Sequence, residues 1–331
     1  MAQRFPTQPL SPRAPCAAGS SPARGEAGPP RIRLGTRGSL LARWQAQWVA
    51  ARLEERGIAV DLVPVSTSGD QQQTTIGAVD GQGLFTREIQ RELLAGRIDL
   101  AVHSLKDLPT DAMPGLCLAA VPRRAAVADV LISPRFASLD ALPQHAVLGT
   151  GSLRRRAQIL HVRPDLNMSD IRGNVDTRLR KLHQGGYDAI VLAAAGIERL
   201  GFSDQITEIL PLEVILPAVG QGALGLESRS DDPAVQQAIG PLDDADAHRA
   251  VLAERALLAA LHGGCLAPIA AWARGDADLL TLTARVLSGD GAERLEATLS
   301  GPASLPEQLG VQVADALIGQ GAVRLIEACR K

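Results

Sequence analysis

The run His103-Ser104-Leu105-Lys106-Asp107-Leu108-Pro109 follows an apolar segment, Asp99–His103. In open α/β sheets the carboxyl end of such a strand is where ligands sit. A lysine beside Asp107 in a tight loop keeps its carboxylate ionised. An ionised carboxylate in a partly dry cleft stabilises a developing cation or moves a proton. The plainer alternative is a surface ion pair that caps the loop. His103 reads as a structural histidine and receives no role in proton transfer.

A second set of residues points to anions. At Leu34 and again at Leu148 a strand ends in Gly-Thr, and a serine, Ser39 or Ser152, stands before a helix. The free N–H groups and dipole of a helix start favour negative charge, although an N-cap serine explains either position alone. Between Gly151 and Lys181 lie eight basic and three acidic residues, a local balance of +5. Arg154 and Arg155 fall in the first turn of a helix and oppose its dipole, at about 0.3–1 kcal/mol each. A bound polyanion explains that choice better than a structural role does. Arg172 follows a strand, and arginine grips carboxylates with paired hydrogen bonds. Cys265 follows two glycines in a turn, where a thiolate is open to an electrophile.

These residues require elements to hold them. Ile32–Thr36 reads as a strand, 40–57 as an amphipathic helix and 60–65 as a strand near an edge because of Pro64. A polar loop over 66–83, a helix over 84–94 and a strand over 99–103 follow. The grammar then repeats, with strands at 147–150, 167–171 and 188–193 and helices at 153–161 and 176–184. LGTRGSLLARWQA echoes LGTGSLRRRAQ, and GRIDLAVHS echoes GGYDAIVLA. These echoes read as an internal duplication of a βα domain, although βα units share grammar without ancestry. Leu216–Gly225 reads as a hinge. Beyond it come a helix over 247–261, strands at 269–273, 279–287 and 294–299, and a helix over 306–319, which suggests a small α+β domain.

Composition limits the alternatives. The 331 residues are 46% hydrophobic but only 2% aromatic, so aliphatic side chains fill the core. Scarce aromatics and a net charge of −2 argue against a nucleic-acid binder. Four cysteines without CxxC spacing disfavour a metal site and suit a reducing compartment, so a cytoplasmic location is expected. No apolar run is long enough to span a membrane. Residues 1–30, with seven prolines and one acid, read as a disordered tail. An organelle transit peptide fits the same pattern. The residues alone leave two readings, a two-lobed binding protein or a transferase acting on an anionic substrate. The tail lacks the apolar core of a secretory signal, which favours the transferase.

From Arg31 onward the chain resembles the hydroxymethylbilane synthase, or porphobilinogen deaminase, family. The resemblance rests on LGTRGSLLARWQA, GQGLFTREI, DLAVHSLKDLPT, LGTGSLRRRAQ, IRGNVDTRL, DAIVLAAAGIERLG, LPAVGQGALGLE and GGCLAPI, in that order. It implies an α/β protein with two domains like type-II periplasmic binding proteins, plus a small C-terminal α+β domain. The first is expected over 31–122 and 223–240, the second over 128–216 and the third over 245–331. It implies that four porphobilinogen molecules are joined head to tail with loss of ammonia, on a dipyrromethane cofactor held by a thioether at Cys265. It places the catalytic aspartate on Asp107. Cofactor contacts fall on Lys106, Asp107, Ser152, Arg154, Arg155 and Arg172, and substrate contacts on Arg37, Ser39, Thr150, Arg178, Arg199 and Gln221. It further implies a monomer without nucleic-acid or membrane partners. Two departures stand out. Gln82 replaces a common lysine, and Leu266-Ala267-Pro268 replaces a more polar segment after the cysteine.

Overall fold

Strand β1 (Arg31–Thr36) buries Ile32, Leu34, Gly35 and Thr36. That density needs cover on both faces and suits the inside of a parallel sheet. In this computed structural model residues 31–65, 81–263 and 267–330 are described, with backbone alone for 81–85. The tail over 1–30, most of the expected loop over 66–83, the Gln82 side chain, Cys265 and Leu266 lie outside the described residues and side chains.

Ser39 caps α1 (Leu40–Glu54) by accepting a hydrogen bond from Ala42 N at 3.3 Å. The helix buries Gln45, Ala46, Val49, Ala50 and Leu53 and leaves Trp44 and Trp48 half-buried on its flank. β2 (Ala59–Pro64) pairs in parallel with β1 at the sheet edge, where Pro64 sacrifices no ladder bond. α2 (Gly81–Leu94) leads into β3 (Leu100–Ser104), a strand buried from Leu100 to His103. β4 (Leu116–Ala120) ends this first pass.

The second lobe contains β5 (Asp129–Ile132), β6 (Val147–Gly149), α3 (Leu153–Val162), β7 (Asn167–Ser169), α4 (Val175–Lys181), β8 (Ala189–Ala193), α5 (Ala194–Arg199) and β9 (Glu208–Ile209). β10 (Leu224–Arg229) then returns to the first lobe. The strand orders are β2-β1-β3-β10-β4 and β7-β6-β8-β5-β9. In each sheet the first three strands are parallel, the fourth runs against the third and the fifth against the fourth. The echoed phrases therefore occupy equivalent places, β1–α1 in one lobe and β6–α3 in the other.

Two expectations shift. The α-helix of α4 stops at Lys181, and Leu182–Gly186 forms a wider turn in which Gly185 adopts φ +86°. The expected hinge ends earlier, because Leu224 and Gly225 already pair with β3.

α6 (Pro233–Ile239) precedes α7 (Ala245–Ala260), which begins the third unit. β11 (Ile269–Gly275), β12 (Leu279–Leu287) and β13 (Arg294–Pro302) form an antiparallel sheet, followed by α8 (Pro306–Gly319) and α9 (Ala322–Ala328). Leu257, Leu282, Val286, Val313 and Leu317 fill its core. α7 and α8 cross so closely at Gly310 that an added Cβ would lie 2.3 Å from Ala253 O.

This third unit also pins both connections between the lobes. Glu254 of α7 is fully buried and accepts from both terminal guanidinium nitrogens of Arg124, at 2.6 and 3.0 Å. It also accepts from Gly220 N at 2.7 Å and Ala273 N at 2.8 Å. Arg124 donates onward to Gln221 O at 2.8 Å. One carboxylate thus joins the first connection, the second connection and the C-terminal sheet.

Candidate active site

The carboxyl ends of β3 and β8 face each other across the lobes. The cleft between them is lined by Ser104 and Lys106 from one lobe and Arg155, Arg178 and Arg199 from the other. Leu41, Val175 and Leu192 supply apolar wall. No acidic side chain appears among its described lining residues.

The loop from the first lobe is short and tied down. Leu105–Asp107 forms one 3-10 turn, with Leu108 N donating to Leu105 O at 3.1 Å. Leu105 N donates to Ala223 O at 3.0 Å, and Thr86 Oγ1 donates to Asp107 O at 3.3 Å. Asp107 is half-buried. Lys106 has its pKa lowered to about 8 because burial disfavours the ammonium and Arg155 repels it. Asp107 and Asp129 offset only part of this. Its preferred remedy is a nearby anion.

The other lobe supplies guanidinium groups in two different ways. Arg154 and Arg155 are both buried. They turn towards Asp129, which opens β5 and is itself fully buried. Arg155 donates to Asp129 Oδ1 at 3.0 and 2.7 Å and to Val191 O at 3.1 Å. Arg154 lies 2.8 Å from Asp129 Oδ2 and donates to Leu216 O at 2.7 Å. Gln221 Nε2 donates to Asp129 Oδ1 at 2.9 Å and to Val127 O at 2.7 Å. Burial opposes the ionised Asp129, yet the two arginines outweigh it and hold its carboxyl well below the usual range. A structural role therefore explains much of the basic first turn, contrary to the expectation from helix polarity. Arg155 lines the cleft, while Arg154 stands behind it as part of a buried trio with net charge +1.

Among the described residues, Arg178 and Arg199 have no comparable acidic anchor. Arg178 donates to Gly173 O at 2.8 Å, and burial with repulsion from Arg155 lowers its pKa despite the nearby Asp107. Arg199 donates to Gly222 O at 2.8 Å and rests 5.7 Å from the Trp44 ring centroid. Burial lowers its pKa to about 10, with Glu198 opposing the shift. Gly222 needs its own φ of +84°, and a Cβ there would lie 2.6 Å from Ala125 O.

The remaining sequence-predicted residues are spread more widely. Ser152 caps α3 by accepting from Arg155 N at 3.5 Å, and Thr150 Oγ1 accepts from Ser152 N at 3.3 Å. Ser39 plays the matching part in α1. In these bonds both serine hydroxyls act as acceptors, which leaves their protons to donate. Arg37 is half-buried after β1. Arg172 is exposed, and its carbonyl accepts from Lys181 Nζ at 3.0 Å. Cys265 lies outside the described residues. Asp129, Glu254 and Arg255 escaped the sequence reading. Their signal was present as an acid opening the apolar run Val130–Ile132 and as charges inside an alanine-rich helix.

With this geometry in hand, the similarities to other proteins are specific. Residues 32–237 match "Porphobilinogen deaminase, dipyromethane cofactor binding domain", and residues 248–319 match "Porphobilinogen deaminase, C-terminal domain". The chain is 49% identical to a porphobilinogen deaminase of Geobacter metallireducens over 301 residues, covering 90% of this chain and 94% of that one. It is 47% identical to one from Syntrophotalea carbinolica over 300 residues, covering 90% and 95%. A nutrient binding protein from Burkholderia cenocepacia, solved bound to methionine, overlays with TM-score 0.40 at 14% identity, covering 63% of this chain and 90% of that one. The chain belongs to the porphobilinogen deaminase family.

Proposed function

We propose that this chain carries out the hydroxymethylbilane synthase reaction in the interlobe cleft, condensing four porphobilinogen molecules head to tail and releasing ammonia at each step. The observation that carries the reading is the convergence of Lys106, Arg155, Arg178 and Arg199 on one cavity without an acid among its described lining residues. Each porphobilinogen brings an acetate and a propionate, so a lengthening chain gains two negative charges per unit. Desolvated cations answer that need.

The family's cofactor is dipyrromethane, and the residues present fit it. Its two pyrroles carry four carboxylates, which match the four cationic side chains in number. When bound, the group supplies the nucleophilic pyrrole carbon to which the first substrate is joined. Lys106, Arg155, Arg178 and Arg199 orient carboxylates, and Ser152 and Ser39 add hydroxyl donors. Cys265 is the attachment point, on the family's pattern.

Asp107 adjoins the cleft without being among its lining residues, close enough to Lys106 and Arg178 to act on their charges, and it is the catalytic residue. With its amine already protonated, porphobilinogen loses ammonia when the C–N bond breaks, which leaves positive charge on the methylene carbon and ring. The Asp107 carboxylate stabilises that charge. Joining substrate through a new C–C bond requires loss of a ring proton, for which the Asp107 carboxylate would be acceptor or relay. Gln221 and Asp129 hold the arginine wall behind the reaction. The chain acts as a cytoplasmic monomer without nucleic-acid or membrane partners. No single helix among the described residues is long and apolar enough to cross a membrane.

Incubation of the protein with porphobilinogen tests the reading. Ammonia release and linear tetrapyrrole formation are expected, both nearly abolished in Asp107→Asn. Reversible porphobilinogen binding without ammonia release would identify a binding protein instead.

A further inference from the structure

We propose that Arg255, on α7 of the third unit, is a positioning residue for the loop that carries Asp107. This rests on the reading of Asp107 given above. Arg255 is 7% exposed. It donates to Leu108 O at 3.0 Å and to Pro109 O at 2.6 Å, the two residues that follow Asp107.

The helix presents a single stripe to this loop. Ala247, Val251 and Arg255 are spaced four residues apart and share one face. Ala247 and Val251 pack in one buried cluster with Leu105, Leu108, Val121 and Ala223. The apolar part of the stripe grips the loop's side chains, and the guanidinium grips its backbone. A fork of parallel donors suits two successive carbonyls, and the charge strengthens both bonds.

The loop is therefore fixed at three places. Leu105 N is held by Ala223 O, Asp107 O by Thr86 and the Leu108–Pro109 carbonyls by Arg255. Pro109 has no N–H with which to anchor itself. Removing Arg255 frees the downstream end just beyond the reacting carboxylate. A displacement of about 1 Å at a catalytic group costs up to about 10²-fold in rate. Arg155, Arg178 and Arg199 lie on the opposite lobe and keep their hold on carboxylates. Lys106 shares the loop with Asp107, so the effect is expected mainly in kcat, with a smaller rise in KM.

The test compares Arg255→Met, Arg255→Lys, Asp107→Asn and Leu257→Ala in the full chain. Leu257 is a fully buried core residue of the same helix that faces the third unit's own core. Steady-state porphobilinogen consumption is followed well below each melting temperature. Arg255→Met should lower kcat at least tenfold, with KM rising by a smaller factor than kcat falls. Arg255→Lys should recover part of the loss, since an ammonium reaches one carbonyl. Leu257→Ala should lower the melting temperature with kcat retained. A parental kcat in Arg255→Met overturns the proposal. So does a loss that Leu257→Ala reproduces at equal destabilisation. If Arg255→Met fails to fold, Arg255→Lys carries the test, and its parental kcat overturns the proposal. Full turnover in Asp107→Asn would instead refute the catalytic reading beneath it.

Discussion

Lys106→Met should have opposite effects on stability and on substrate use. Burial and Arg155 lower the Lys106 pKa from 10.5 to about 8 in the folded chain. The folded state thus holds this proton less tightly than the unfolded chain does. The resulting destabilisation is fully present below pH 8 and is relieved as the pH rises from 8 towards 10.5. A shift of that size corresponds to about 3 kcal/mol at pH 7. Methionine keeps the bulk of the side chain and removes the charge. In protein lacking the cofactor, obtained as Cys265→Ser, Lys106→Met should raise stability by up to about 3 kcal/mol at pH 7. The melting temperature should rise by roughly 5–10 °C. The gain should fade above pH 8 and vanish near pH 10.5. In the cofactor-bearing protein the ammonium is paired with carboxylates, so the gain should shrink or reverse, and KM for porphobilinogen should rise. Thermal melts at pH 7 and pH 10, in both backgrounds, measure this. A stability change independent of pH in the Cys265→Ser background would refute the desolvation argument.

Other perturbations probe the frame. Asp129→Asn strands two buried guanidinium groups and should cost about 3–5 kcal/mol, read as a lowered denaturation midpoint. An unchanged midpoint would mean that the arginines do not depend on this carboxylate. Gly222→Ala meets both an unfavourable φ and the Ala125 carbonyl, so it should destabilise by at least about 1 kcal/mol and disturb the Arg199 contact; a neutral melt contradicts this. In the parent protein the cofactor's carboxylates hold the Lys106 ammonium above the value of about 8 that it has in the empty chain, so KM should stay level through pH 8 and rise only at higher pH, a trend that Lys106→Met should flatten.

Much of the architecture was legible because it rests on local signals. The serine caps, the apolar runs of β3 and β8 and the echoed phrases all fall within a few residues. The strands of the crossed-over parts were harder to read. β10 completes the first sheet only after the chain has traversed the second lobe, and β9 is two residues long. The cleft was partly legible: Lys106, Arg155 and Arg178 stood out by type and position, while Arg199 came only from the family resemblance. The pairing of Arg154 and Arg155 with Asp129 was not, because the acid lies on a strand 26 residues away from Arg155. Helix polarity marked these arginines as unusual but could not supply the partner. Glu254 and Arg255 stand in a helix whose alanine-rich pattern reads as plain core. Their roles emerge only when α7 is packed against both connections and the Asp107 loop.

The most direct measurement of the central claim is the intact mass of the freshly purified chain and of Cys265→Ser. The expected result is an excess equal to one dipyrromethane in the parent, lost in the variant together with turnover. A parent with no added mass that still converts porphobilinogen at full rate would contradict the account.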